Sequence, residues 1–202
     1  MANTDLSSRY TLFVLKPDAI DQALDPIMIN DLEEAGLTVV KHKLLHLTPE
    51  QAAVLYSEKE RYNYFSQLVS FMASSQSFFL LIKFNHDTEA DIVIEAKKYR
   101  DWARLHLKLD NYELTESDMR QLAMGTHPLQ AEITTTMALR NLIHVPDDLE
   151  SVMPLLAELF TEDDIDELEN REPELHAALS VARQEIAISR DIETHSSNKE
   201  RG

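Results

Sequence analysis

The sequence predicts an α+β fold, a split βαββαβ antiparallel sheet covered by helices, on three observations. Short β-rich apolar runs are separated by segments of helical period, the runs end in Gly, Pro or polar punctuation, and the last run leads into a histidine followed by a helix start. The first run is Tyr10 to Leu15, stopped by Lys16-Pro17-Asp18, so that Lys16 emerges at a strand end. A lysine there is either a solvated flank or a fixed cation for an anionic ligand.

A helix is expected over Pro26 to Ala35, closed by Gly36, and a second strand over Leu37 to Leu47. Thr48-Pro49-Glu50 then opens a pair of helices reaching Met72, with Ala52, Leu55, Tyr56, Tyr64, Phe65, Leu68 and Met72 at three- and four-residue spacings and a break near Tyr62-Asn63. Ser77 to Phe84 reads as the third strand. Charged amphipathic helices follow from Asp87 to Leu122, and Thr134 to Leu139 is expected as the fourth strand. A helix from Leu149 to Phe160 completes a ferredoxin-like unit, which this element order leaves covered on one face. Residues 1–160 are expected to form this domain, with a helical insertion at about 87–118. Residues 161–202 form an acidic, partly helical extension: helix from Pro173 to Ile192, disorder from Glu193 to Gly202, and little of it needed for the fold.

Length and charge narrow the function classes. The chain has 202 residues, 36 acidic against 19 Lys and Arg, and a formal net charge of -17, which disfavours nucleic acid and anionic membranes as partners. It has no cysteine, so thiolate chemistry, disulfides and Cys-based metal sites are excluded. No apolar run approaches the ~20 residues of a membrane span, and Met1 to Arg9 lacks a signal-peptide pattern, so a cytoplasmic protein is expected.

The chemistry points to Arg140-Asn141-Leu142-Ile143-His144, taken with Lys16. Imidazole is a nucleophile partly neutral at physiological pH, and a histidine between an apolar run and the helix start at Pro146-Asp147-Asp148 would face a mouth. On local sequence alone, a lone histidine after Leu-Ile is more often a structural or surface residue. Lys97, Lys98, Arg100 and Arg104 form a basic run, either a solvated helix face or a cover over an anionic site.

Several separated pieces together resemble the nucleoside diphosphate kinase family. Thr11 to Ala19, with Lys-Pro-Asp at 16–18, is similar to its opening strand and phosphate lysine, and Glu34-Ala35-Gly36-Leu37 with Leu44 to Pro49 to its first helix and second strand. Tyr56, Tyr64-Phe65, Leu68 and Met72-Ala73-Ser74 are similar to its nucleotide slot. Arg140 to His144, with Asp147, Glu150-Ser151 and Phe160, is similar to its active histidine segment. The resemblance implies a phosphotransferase that moves the γ-phosphate of a nucleoside triphosphate to a nucleoside diphosphate through a phosphohistidine, with Mg²⁺ on the bound nucleotide. His144 would be the nucleophile. Lys16, Arg120, Thr126 and Asn141 would hold phosphates, Tyr56 would bond the transferring group, and Tyr64 and Leu68 would flank the base, although their helical spacing also suits core packing. A homo-oligomer, a dimer first, is implied as well.

The departures bear on activity. No arginine stands between Arg120 and Arg140, Val145-Pro146 replaces the family's Gly-Ser, and Leu155 occupies the place of the glutamate that orients the imidazole. The basic run is expected to supply part of the missing charge. The alternative is a catalytically weakened relative that binds nucleotide or serves as a scaffold. A non-enzymatic ferredoxin-like regulatory module is a third reading, and it gives Lys16 and His144 no joint purpose.

Overall fold

The computed structural model describes residues 6, 9–84, 92–104 and 139–199, with the single positions 117, 121, 124 and 128. The first element, β1 (Tyr10–Leu15), is buried along its whole length. It runs straight into α1 (Pro17–Asp21), where the sequence reads as a polar turn. Pro17 at the first helical position has its φ already set for a helix. Next come α2 (Asp25–Glu34) and β2 (Leu37–Leu45), joined through Gly36 at φ 81°, a backbone conformation that glycine adopts without a Cβ clash. Thr48 opens α3 (Pro49–Leu55) with a capping box to Gln51. A 3₁₀ turn at Ser57–Lys59 and the turns after it, which include the expected break near Tyr62-Asn63, lead to α4 (Phe65–Met72), followed by β3 (Ser77–Phe84) and α5 (Ile92–Ala103).

The sheet order is β2-β3-β1-β4 with every pair antiparallel, the arrangement expected of a split βαββαβ unit. Its fourth strand differs from the sequence reading. Residues 134–138 lie outside the described residues and Leu139 is helical; the residues that pair with β1 are Ile143–His144, which form β4. His144 therefore sits on the strand itself, opposite Val14.

Both faces of the sheet are covered, which corrects the expectation of one bare face. Leu12 and Val14 of β1 join Phe79 and Leu81 in a core with α3, α4 and the elements after residue 148, while Phe13 and Leu15 join Leu80 and Ile82 in a core with α1, α2 and α5. β1 and β3 are apolar at nearly every position because they face an apolar layer on each side. This removes the exposed sheet face as a reason for pairing between copies.

Part of the covering of the first face comes from the extension. After a 3₁₀ turn at Glu150–Val152 the chain forms α6 (Met153–Leu159), α7 (Glu162–Asp166) and α8 (Pro173–Lys199). α8 continues as helix through residues expected to be disordered. Ile165, Leu168, Leu175 and Leu179 are buried in the same core as Tyr10 and Phe79, so residues after 160 share the main core. Acidic side chains fix the docking. Glu172 accepts from the Tyr10 hydroxyl at 2.6 Å and from Lys83 at 2.8 Å, Arg9 pairs with Glu174, and Lys41 and Lys43 on β2 pair with Asp164. Although partial burial opposes it, bonds from Lys43, the Thr161 backbone and Lys41 hold the Asp164 carboxyl well below its usual range. Among the described residues no helix is long and apolar enough to cross a membrane.

Removing the extension after Phe160 is therefore expected to strip apolar cover from β1 and β3 and to yield aggregated protein, the reverse of the dispensability read from composition. Leu175→Ala and Leu179→Ala should each lower stability by about 2–5 kcal/mol in urea denaturation, as filled core positions do. A fully soluble, cooperatively folded 1–160 fragment would refute this.

Candidate active site

The junction of β1 and α1 and the segment 139–144 hold each other in place. The Lys16 backbone N–H donates to the Leu142 carbonyl at 2.8 Å, its Nζ donates to the Leu139 carbonyl at 3.2 Å, and Asp18 accepts from the Leu142 N–H at 3.2 Å. Leu142 has φ 66°, and Ile143 N–H bonds back to the Asn141 carbonyl at 2.7 Å across it, which is a γ-turn of the strained hand. A leucine so held costs about 1–3 kcal/mol, and the surrounding bonds keep it there.

The turn sets the direction of His144. With Ile143 in the core beside α2 and α5, strand alternation sends the next side chain to the opposite face, the side of Leu12, Val14 and α3. There the His144 ring lies 4.3 Å from the Tyr56 ring, centroid to centroid, at 44°. Lys16 Nζ stands 5.3 Å from the same Tyr56 ring. Both side chains are buried, Lys16 to 2% and His144 to 5% exposure, yet both line a cavity of about 320 Å³.

The cavity joins most of the residues singled out from the sequence. Lys16, Tyr56, Tyr64, Leu68, Asn141 and His144 all line it. Arg120 and Thr126 lie outside the described residues. Tyr56 meets the site through its ring, whereas its hydroxyl donates to Met72 Sδ at 3.5 Å, away from the role expected for it. Tyr64 is stacked on Tyr62, with centroids 5.4 Å apart and planes at 19°.

Further groups complete the wall: Glu58 and Lys59 from the 3₁₀ turn, Arg100 and Arg104 from the end of α5, and Asp147. The two arginines belong to the basic run and so carried a sequence signal. Lys59 carried none, standing as one lysine among alternating charges. Of the rest of the run, Lys97 reaches Asp147 at 2.5 Å and Lys98 is exposed. Leu155 is buried in the apolar core, as its side chain requires.

Electrostatically the cavity is a cationic concavity in an acidic protein. Lys16, Lys59, Arg100 and Arg104 face two carboxylates. Burial first, then Arg104 and Lys59, bring the Lys16 ammonium down to about 7, with Asp18 opposing. His144 is held well below the usual imidazole value by burial and then by Lys16, Arg104, Lys59 and Arg100, so its ring is neutral at pH 7. Its Nε2 has no hydrogen-bond partner among the described residues. A neutral nucleophile beside fixed positive charge, in a space of this size, is suited to attack on a polyanionic electrophile.

Comparison with known proteins gives the same direction. Residues 9–95 match the family model for nucleoside diphosphate kinase. The chain is 29% identical over 155 residues to a nucleoside diphosphate kinase of Histophilus somni (strain 2336), spanning 77% of this chain and 94% of that protein. It is 37% identical over 73 residues to one from Pasteurella multocida (strain Pm70), covering 36% of this chain and 52% of that protein. A crystal structure of the Aquifex aeolicus nucleoside diphosphate kinase shares the fold, with a TM-score of 0.51 at 18% identity over 77% of this chain and 96% of the other. The family model and the relatives' sequences agree in what this chain is similar to, the nucleoside diphosphate kinases, and the solved structure shares its fold.

Proposed function

We propose that this chain moves the γ-phosphoryl group of a nucleoside triphosphate to His144 and from there to a nucleoside diphosphate. The observation that carries this reading is the neutral imidazole of His144 held in a cavity walled by four cations. In the first half-reaction a ring nitrogen forms the N–P bond as the bond from phosphorus to the bridging oxygen breaks, and the diphosphate leaves with that oxygen's electrons. The acceptor diphosphate reverses the same step. Nothing is left over, which suits a site that opens and refills between nucleotides.

The other residues have roles set by place. Lys16, two residues from Val14, which pairs with His144, compensates phosphate charge at the point of transfer. Bound phosphate raises its proton affinity and restores full charge to an ammonium poised near neutrality. Asn141, and Arg120 and Thr126 from outside the described residues, would add phosphate contacts, and Tyr64 with Leu68 would flank the base. Mg²⁺ would be carried by the nucleotide's phosphates, and Glu58 and Asp147 are the carboxylates on the cavity wall that would hold it or its waters. When bound it neutralises phosphate charge.

The apolar setting of Leu155, where the family has an orienting glutamate, favours a second reading in which nucleotide binds and transfer is weak.

With γ-labelled triphosphate and Mg²⁺, the protein is expected to take up an acid-labile label that a diphosphate discharges. His144→Ala should abolish it, and Lys16→Ala should slow it by about 10²-fold or more. Nucleotide binding without label in the native protein would favour the second reading. Loss of neither label nor exchange in His144→Ala would remove His144 from the chemistry.

The pH profile follows from the two shifted groups. Because the His144 value is depressed, the ring remains a free base as pH falls through 6.5, the range where an ordinary histidine would protonate. Lys16 loses its proton as pH rises through about 7 in the free protein. The second-order rate of labelling at low nucleotide is therefore expected to be flat on the acid side of neutrality and to decline above it. A decline below pH 6.5 with a plateau above would contradict the assignment.

A further inference from the structure

The Arg104 guanidinium spans the strained turn before His144. Its Nη2 donates to the Ile143 carbonyl at 2.8 Å and its Nε to the Asn141 carbonyl at 3.3 Å, so one planar group grips the carbonyls on either side of Leu142. The Asn141 carbonyl is the same one that accepts the γ-turn bond from Ile143. α5 lies on the opposite face of the sheet from the His144 ring, with Ala96 and Ala103 in the core beside Phe13 and Leu15. Only its last turn reaches the cavity, where Arg100 and Arg104 line the wall. A second tie runs parallel to the first: Lys97, nearly two turns earlier on α5, bonds Asp147 three residues past His144.

We propose that Arg104 is a positioning residue for His144, fixing the turn that aims the imidazole at the phosphate site while its charge faces the same cavity. This rests on His144 being the phosphoryl acceptor. Two constraints act on that ring. The β1 side supplies the Lys16 and Asp18 bonds to Leu142. The α5 side supplies the Arg104 bonds to the residues flanking it. A turn with φ at 66° on a leucine relaxes when its brackets are removed, and relaxation of Asn141 to Ile143 rotates the residue that follows. The planarity of the donor matters because two carbonyls are held at once from one guanidinium; an ammonium at the same place keeps the charge and reaches one of them.

Arg104 also keeps the ring neutral, since it is among the cations that depress His144, together with Lys16, Lys59 and Arg100, with Glu58 and Asp147 the carboxylates on the wall. It remains a cation at neutral pH although burial, and then Arg100, lower it to about 10.

The test compares Arg104→Lys and Arg104→Gln in the full chain, with urea midpoints measured for each. Single-turnover labelling at saturating triphosphate, nucleotide affinity and the His144 ring resonances by NMR are read together. In Arg104→Lys the labelling rate is expected to fall by about 10²-fold, as a misaimed nucleophile does, with nucleotide affinity little changed and the His144 resonances shifted. In Arg104→Gln affinity should fall as well, and His144 should titrate at higher pH. A labelling rate in Arg104→Lys equal to the native rate would overturn the proposal and leave Arg104 as a charge. Unshifted His144 resonances in both variants would overturn it in favour of a brace for α5. If the native protein takes no label, the catalytic reading fails, and the resonances alone then decide whether Arg104 positions the ring.

Discussion

A strand of two residues carries the histidine, and so short a strand holds only because its approach is tied from both sides. The Lys16 backbone bond to Leu142, the Asp18 carboxylate on the Leu142 N–H and the Lys16 Nζ bond to Leu139 make the end of β1 and the segment before β4 a single unit. Everything else at the site inherits its position from that unit. Tyr56 packs on the His144 ring, the 3₁₀ turn after Tyr56 brings Glu58 and Lys59 to the wall, and α4 adds Leu68. Lys16 and His144 are thus neighbours through backbone geometry, which is stiffer than any side-chain contact between them would be.

The charge of the protein is sorted by face. The acidic excess lies partly in α7, in α8 and in the turn between them, where Asp164, Glu172 and Glu174 meet Lys41, Lys43, Lys83 and Arg9. The cations that remain near the cavity face inward from the wall. An anionic ligand approaching a chain of net charge -17 meets a cluster of cations at this mouth, and their field lines concentrate there. Burial makes it costly to keep Lys16 charged, so an anion in the cavity and the proton on Lys16 would stabilise each other.

Much of this was legible in the chain. The strands β1 and β3, the α3–α4 pair and the convergence of Lys16, Tyr64, Leu68, Asn141 and His144 followed from period, punctuation and family resemblance. What the sequence reading missed has physical reasons. Tyr-Thr-Leu-Phe-Val-Leu does not alternate, and a strand without alternation is buried on both sides; taking it as half-covered left the extension with nothing to do. The acidic composition after Phe160 suggested solvation because its partners, Lys41, Lys43 and Lys83, are more than eighty residues away in sequence. The fourth strand was sought in the β-branched run at 134–139, whereas pairing with Val14 falls on Ile143 and His144, whose register no local pattern encodes. Lys59 and the grip of Arg104 on two carbonyls are tertiary facts with no local trace.

The bond from Tyr10 to Glu172 and the pair of Arg9 with Glu174 join positions more than 160 residues apart in the chain. Contacts of that separation form late, because the loop they close is long and its entropy has to be given up before the contact is gained. β1 precedes α7 and α8 in the chain, and the last part of its apolar layer is added when their residues have been synthesised. During that interval the core of Leu12, Val14, Phe79 and Leu81 lacks part of its cover, and the apolar surface left open is of the kind on which chaperones act. The strand that leads into Lys16 is therefore the one whose maturation waits for residues after 160, so that a cavity with Lys16 and His144 in register depends on segments remote from both in the sequence.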